Sequence, residues 1–144
     1  MRHAAWTLLL WAGGSLSAEA PCCRLFGFDA APILGKDAAV CGKILDAANR
    51  HEAEAQSLEE RRRATQCALE AQDQGRAFVY TYRLLVSPDV DMVNQAVFGA
   101  KGERLLLRMG LYQGENIRSI ESCASLTVLA DGRIDQRGCH LVNP

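Results

Sequence analysis

Six cysteines constrain this chain of 144 residues more than any other feature of its sequence. They are Cys22, Cys23, Cys41, Cys67, Cys123 and Cys139. An even set of this kind forms disulfides in an exported protein, whereas in the cytosol it is more typical of metal binding or thiol chemistry. The N-terminal segment therefore determines how the cysteines are interpreted.

The N-terminus has the three parts of a secretory signal peptide. Arg2 supplies the positive charge, residues 4–14 form an uncharged apolar run too short to span a bilayer, and small residues follow. Because Pro21 disfavours cleavage directly before it, we place the cleavage site between Ser17 and Ala20. We predict that residues 1–20 are a signal peptide and that the protein is secreted or periplasmic. The alternative is that they form a buried helix of the mature fold.

The remaining chain is long enough for one hydrophobic core. The charges of the whole chain nearly cancel, with a formal net charge of -1, and acidic and basic residues are interspersed without a basic stripe. This pattern argues against a nucleic-acid partner. No other segment is apolar enough to span a membrane. We predict an N-terminal arm at 21–36 and a single α+β domain at 37–144.

The C-terminal region predicts one disulfide. Residues 117–142 are typical of a β-hairpin that turns at Ala130–Gly132. A three-residue loop closed by Gly132 in the left-handed conformation places Cys123 directly opposite Cys139, within disulfide range. A two-residue loop would place the two sulfurs on opposite faces of the sheet.

The other four cysteines are less constrained. An unbroken helix from Cys41 to Cys67 would be about 39 Å long, so a bond between them requires that helix to fold back. We therefore expect each of them to bond to Cys22 or Cys23. The vicinal pair is alternatively a metal or redox feature, although no histidine lies nearby and the C-x-x-C spacing is absent.

The region 37–74 has the composition of helices, with no proline and apolar residues at three- and four-residue spacing. It predicts one long helix or two helices, at 37–50 and 57–74, with a capping box at Ser57. On the second helix, small residues form one face, and Gly75 closes it as a C-cap. The residues of this face are Ala64, Cys67, Ala68 and Ala71.

Beyond Gly75 the hydrophobic period changes to two, which is typical of strands. Strands are predicted at 77–86, 90–98 and 104–112, followed by the C-terminal hairpin. The predicted fold is α+β, with an N-terminal helical region packed on a roughly five-stranded antiparallel meander sheet.

No residue set predicts a reaction. After removal of the signal peptide only His51 and His140 remain, and neither has the companions that a catalytic histidine needs. Asp89 and Asp91 lack the glycine and glutamate of a calcium loop. We expect no enzyme activity, no cofactor and no metal.

The first strand, 77–86, is apolar on both faces. One interpretation is that the arm covers the second face, held by Cys22 or Cys23. The other is that some of Tyr80, Tyr82 and Phe98 remain accessible and bind another protein or a second copy of the chain. We therefore predict a non-enzymatic protein-interaction module. The alternative function is a small exported thiol-redox or hydrolytic enzyme.

Overall fold

A computed structural model of the chain describes residues 24–25, 28–47 and 56–142. Its elements are β1 (Arg24–Leu25), β2 (Phe28–Asp29), α1 (Ala31–Leu34), β3 (Ala39–Ala47), α2 (Leu58–Asp73), β4 (Phe78–Ser87), β5 (Val90–Phe98), β6 (Arg104–Tyr112), β7 (Glu115–Val128) and β8 (Ile134–Leu141). Strands β3 to β8 form a six-stranded sheet in chain order, and β1 and β2 form a separate short hairpin. Strand β3 runs parallel to β4, and all later neighbours are antiparallel.

The predicted fold class is wrong, because the protein is mostly β and its sheet is mixed. The error lies in the first predicted helix, at 37–50: Ala39–Ala47 form the edge strand β3, and residues 48–50 lie outside the described residues. This strand contains a bulge at Gly42, whose φ is +87°. A bulge shifts the alternation of side chains by one residue, so Cys41 and Ile44 are both buried towards the helix. The bulge therefore interrupts the two-residue alternation by which a strand is recognised in a sequence.

Helix α2 agrees with the second predicted helix. The Ser57 hydroxyl accepts a hydrogen bond from the Glu60 N–H, and the Glu60 carboxylate accepts one from the Ser57 N–H. At the C-terminal end, Gly75 has a φ of +63°, and the Arg76 N–H donates to the Ala71 carbonyl oxygen. These bonds are the capping box and the left-handed C-terminal cap that the sequence predicts.

The predicted hairpin disulfide is confirmed: Cys123 lies opposite Cys139, and the two are bonded. The Leu129 N–H donates to the Arg133 carbonyl oxygen, and Gly132 has a φ of +86°. The loop is therefore the three-residue form, which keeps both sulfurs on one face of the sheet.

The predicted partners of Cys41 and Cys67 are wrong, because these two cysteines are bonded to each other. A parallel pair of strands needs a crossover, and α2 provides it by returning along the sheet from β3 to β4. The helix thus runs beside β3, and a cysteine on each element meets the other. Cys22 and Cys23 lie outside the described residues.

Hydrophobic residues pack on both faces of the sheet. The face that carries Phe78, Tyr80 and Leu106 packs against α2, and we call it the helix-covered face. The opposite face, which carries Val79, Val97 and Leu107, packs against Phe28, Ala30, Ile33 and Leu34; we call it the arm-covered face. Segment 28–34 therefore covers the second apolar face of β4.

Candidate functional site

Two of the predicted binding residues are buried in the helix-covered core. Tyr80 is 0% exposed and Phe98 is 2% exposed. The Phe98 ring stacks on Phe78 with centroids 4.0 Å apart, and the Tyr80 hydroxyl donates to the Gly132 carbonyl oxygen at 2.7 Å. Neither side chain is available to a partner in this conformation.

The third predicted binding residue, Tyr82, lies two residues after Tyr80 on β4 and is partly exposed. Its hydroxyl donates to the Asp46 carboxylate on the neighbouring strand. Burial raises the pKa of Tyr82, and the hydrogen bond to Asp46 and the negative charge of that residue raise it further. Tyr82 is therefore a neutral hydrogen-bond donor that joins β3 to β4.

The C-terminal half of β3 is closed along its outer edge by side chains. The Gln56 amide accepts from the Leu45 N–H at 2.7 Å and donates to the Lys43 carbonyl oxygen at 2.5 Å. Arg61 donates to the Leu45 carbonyl oxygen at 2.6 Å. These three bonds occupy backbone groups to which an added strand would bind.

The N-terminal half of β3 is open on the same side. The Ala39 N–H donates to the Ala77 carbonyl oxygen on the β4 side. Because backbone groups alternate in direction along a strand, those of Val40 point outward. Val40 is 55% exposed, and no described strand pairs with this side of β3.

A groove of about 670 Å³ runs between this open edge and the first half of α2. We call it the β3 groove; its lining includes Val40, Cys41, Lys43, Arg63, Ala64 and Cys67. The disulfide between Cys41 and Cys67 ties strand to helix at its floor. At Gly42 an added Cβ would lie 3.6 Å from the Ala64 Cβ, so the two elements approach closely there.

The charged residues of the β3 groove are mainly basic. Lys43 and Arg63 are both exposed at the groove. The acidic residues beside them are Glu60, whose carboxylate accepts the hydrogen bond of the capping box, and Glu59, whose carboxylate lies 4.0 Å from the Arg63 Nε. The groove therefore combines an apolar floor with positively charged sides.

A smaller groove of about 370 Å³ lies on the other side of the same half of α2. Ile44 contributes to its lining, and its charged residues have both signs, Arg61 and Arg62 beside Glu70 and Asp131. The residues that line the smaller groove include no open strand edge. This groove therefore offers fewer backbone groups that could form hydrogen bonds with an extended peptide.

Histidines and possible metal ligands are the remaining candidates for a site. His140 is exposed on β8, opposite Ser122, and His51 lies outside the described residues. Within the described ranges no three histidine, cysteine or acidic side chains are placed to hold a metal ion. No helix in those ranges combines the length and apolar character of a membrane span.

Sequence reasoning missed the β3 groove because it interpreted β3 as a helix. A signal was present: Val40 and Ile44 are typical strand residues, and a glycine between such residues is typical of a bulge. A bulged edge strand followed by a capped helix would have placed Cys41 beside Cys67.

No family model matches the chain, and it has no match among curated proteins or solved structures.

Proposed function

We propose that this protein is an exported, disulfide-stabilised, non-enzymatic interaction module that binds an extended segment of a partner protein in the β3 groove. The observation that carries the proposal is the half-open edge of β3. Its C-terminal half is closed by Gln56 and Arg61, whereas the outward backbone groups of Val40 in its N-terminal half are open, and the β3 groove borders both halves. Edges left open in this way bind peptides by strand addition.

The backbone of Val40 would supply the main-chain hydrogen bonds. Alternate side chains of the bound segment would then point towards the floor formed by Ala64 and the disulfide between Cys41 and Cys67. That disulfide joins the two walls, so the groove is held in shape before the partner arrives. Such preorganisation lowers the entropic cost of binding.

Lys43 and Arg63 favour acidic side chains in the bound segment. We therefore propose a partner segment that is extended and alternates small apolar residues with aspartate or glutamate. Because both basic residues are solvent-exposed, their effect on affinity should weaken at high salt.

Export is supported by the two disulfides, which form and persist in oxidising compartments. N-terminal sequencing of the protein recovered outside the cytosol tests this part. Cleavage between Ser17 and Ala20, within the signal peptide region proposed at 1–20, should leave Ala18, Glu19 or Ala20 as the first residue of the mature chain. Recovery of the intact chain inside the cytosol with reduced cysteines would contradict it.

The non-enzymatic role is supported by the bonding of the four described cysteines, because a sulfur in a disulfide is not a nucleophile. A thiol-redox enzyme would depend on Cys22 and Cys23, which lie outside the described residues. Titration of free thiols in the native protein separates the two functions. Two reactive thiols would favour the enzyme.

Peptide display on the folded protein tests the groove. Val40→Pro removes the outward N–H, a change that edge strands tolerate, whereas Val40→Thr keeps it. We expect selected peptides to lose at least tenfold in affinity for Val40→Pro and little for Val40→Thr.

A second pair of variants tests the charge of the groove. Arg63→Glu should lower the affinity of acidic peptides, and Arg137→Glu on the exposed face of β8 is the matched control. Equal binding to all four variants would contradict the proposal.

A further inference from the structure

We propose that the β3 groove binds the C-terminal end of its partner, with the partner's chain parallel to β3 and its terminal carboxylate between Lys43 and Arg63. This inference rests on the proposed function, because it names the kind of segment that the groove takes. Two observations carry it: the place where the open edge of β3 stops, and the charge of the side chains at that place.

The open part of the β3 edge is short. Val40 directs its backbone groups outward, but beyond the bulge at Gly42 the Lys43 carbonyl oxygen and the Leu45 N–H already bond to the Gln56 amide. The Gln56 side chain therefore lies where an added strand would continue. A segment that pairs with Val40 can extend past Lys43 only by leaving the edge.

The point at which pairing stops lies close to Val40. Parallel strands pair through evenly spaced, slanted hydrogen bonds, so the N–H and C=O of Val40 would bond the two peptide residues on either side of the one opposite it. Lys43 follows Val40 by three residues. At about 3.3 Å per residue, the bound chain has room for about two residues beyond the one opposite Val40 before it reaches Gln56.

The charge at this point selects which end of a peptide fits. Lys43 and Arg63 both line the groove, and Arg63 is adjacent to Ala64, which approaches Gly42 closely. A terminal carboxylate would be attracted by both cations, whereas the terminal ammonium of a segment running the other way would be repelled. The carboxyl end of the bound segment therefore points towards Lys43, which makes the segment parallel to β3.

The acidic side chains nearby leave Arg63 able to bind a carboxylate. Glu60 lines the groove, but its carboxylate accepts a hydrogen bond from the Ser57 N–H. The Arg63 Nε lies 4.0 Å from the Glu59 carboxylate, which is longer than a hydrogen bond, and both side chains are more than half exposed. Surface pairs of this kind are weak, and a guanidinium has five N–H donors. A bound carboxylate can therefore bond to Arg63 without displacing a strong ion pair.

Peptides with blocked or extended ends test the inference. Short random peptides are selected on the folded full chain from two libraries, one with a free C-terminus and one in which a fixed sequence follows. Each selected peptide is then synthesised as the free acid, as the C-terminal amide and with residues added after its last one. We expect binders mainly from the first library, and at least tenfold lower affinity for the amide and the extended form than for the acid. Acetylation of the N-terminus should change little.

Charge variants locate the bound carboxylate. Arg63→Gln and Lys43→Gln should each bring the affinities of acid and amide closer together, because one of the two cations is lost. Arg137→Gln is the matched control: this exposed arginine also lies beside a carboxylate, that of Asp135, but on the strand at the other edge of the sheet. It should leave the ratio of the two affinities unchanged.

A nitroxide label on the peptide reports its direction. With the label near the C-terminus of the peptide, the amide signal of Lys43 should broaden more than that of Ala39, and with the label at the N-terminus the order should reverse. The opposite pattern would overturn the inference, and so would equal affinities of the acid, amide and extended forms.

The same measurements separate this failure from failure of the proposed function. If the amide and the extended form bind as well as the acid and all three lose affinity for Val40→Pro, the groove binds internal segments and only the inference fails. If no peptide from either library binds, or if Val40→Pro binds every form as the natural protein does, the proposed function fails as well.

Discussion

At the scale of single residues, Tyr80 shows how a tyrosine is used in this core. Its ring is completely buried, and its hydroxyl donates to the Gly132 carbonyl oxygen in the β7–β8 loop. Burial is the main cause that raises its pKa to about 12. Tyr80 therefore contributes to folding as a neutral group that joins β4 to the loop.

This pKa predicts a loss of stability in alkali. The folded state keeps the Tyr80 proton up to about pH 12, whereas the unfolded chain releases it near pH 10. The stabilisation that the protonated Tyr80 hydroxyl provides is therefore complete below pH 10. As the pH rises to 12, the free energy of unfolding falls by about 2–3 kcal/mol. Urea unfolding across this range should show a shallower decline for Tyr80→Phe than for the natural protein. Tyr112→Phe, at an exposed position, should follow the natural protein; equal declines in all three would contradict the assignment.

Alanine substitutions at two glycines separate the cost of a left-handed backbone from the cost of overpacking the core. Gly132 and Gly102 have φ values of +86° and +89°, so alanine is strained equally at both. At Gly102 an added Cβ meets nothing within 4 Å, whereas at Gly132 it lies 2.9 Å from the Thr65 hydroxyl oxygen and 3.1 Å from that of Tyr80.

We expect Gly102→Ala to lower the free energy of unfolding by about 1–2 kcal/mol, the cost of the left-handed conformation. Gly132→Ala should cost about 1–3 kcal/mol more, because it also overpacks the core. Denaturant unfolding of the two variants measures the difference. Equal losses would mean that the loop does not pack on Tyr80 and Thr65 as described.

At the scale of elements, β3 is the strand that determines the fold and the site. It is parallel to β4, it forms one edge of the sheet, and it is bonded to α2 through Cys41. Exposed strand edges invite pairing with other chains, and here the C-terminal half is closed by Gln56 and Arg61.

Removal of one of these side chains should make the protein self-associate. Gln56→Ala leaves the Leu45 N–H and the Lys43 carbonyl oxygen without their partner, which should cost about 1–2 kcal/mol of stability. It also extends the open edge, so light scattering should show larger particles at high protein concentration. Gln136→Ala, at an exposed position on β8, is the control. A monodisperse Gln56→Ala protein would show that the amide does not protect this edge.

The sequence predicted those elements whose signals are local. The capping box at Ser57, the left-handed Gly75 and the Gly132 loop each depend on a few adjacent residues, and all are present. Strand β3 was predicted as a helix instead, because the bulge at Gly42 interrupts the alternation of side chains that identifies a strand. Its pairing with β4 is also non-local, and only the crossover by α2 specifies it.

At the scale of the whole molecule, two disulfides fix two different parts of the fold. Cys123–Cys139 joins the last two strands, and Cys41–Cys67 joins the edge strand to the helix. The second bond therefore shapes the β3 groove, whereas the first does not line it. The sequence alone does not distinguish a core from an interface at Tyr80 and Phe98, which are buried here, because aromatic residues are suited to both.

Because only one of the two bonds lines the groove, loss of either should lower stability, whereas only loss of Cys41–Cys67 should also lower peptide affinity. The bonds close loops of similar size, with sequence separations of 26 and 16, so loss of either should cost about 3 kcal/mol. Cys41→Ala/Cys67→Ala should also weaken peptide binding at least tenfold, because the walls of the groove are no longer joined. Cys123→Ala/Cys139→Ala should bind as the natural protein does, in conditions where both variants remain folded. Equal affinities would show that the bond does not organise the site.

The most direct test of the account is a nuclear magnetic resonance titration of the isotope-labelled protein with a selected acidic peptide. The account predicts that backbone amide signals change most at Val40–Lys43 and at Ala64, beside the groove, and little on β8. The largest changes on β8 or on the arm-covered face, or no changes at all, would contradict it.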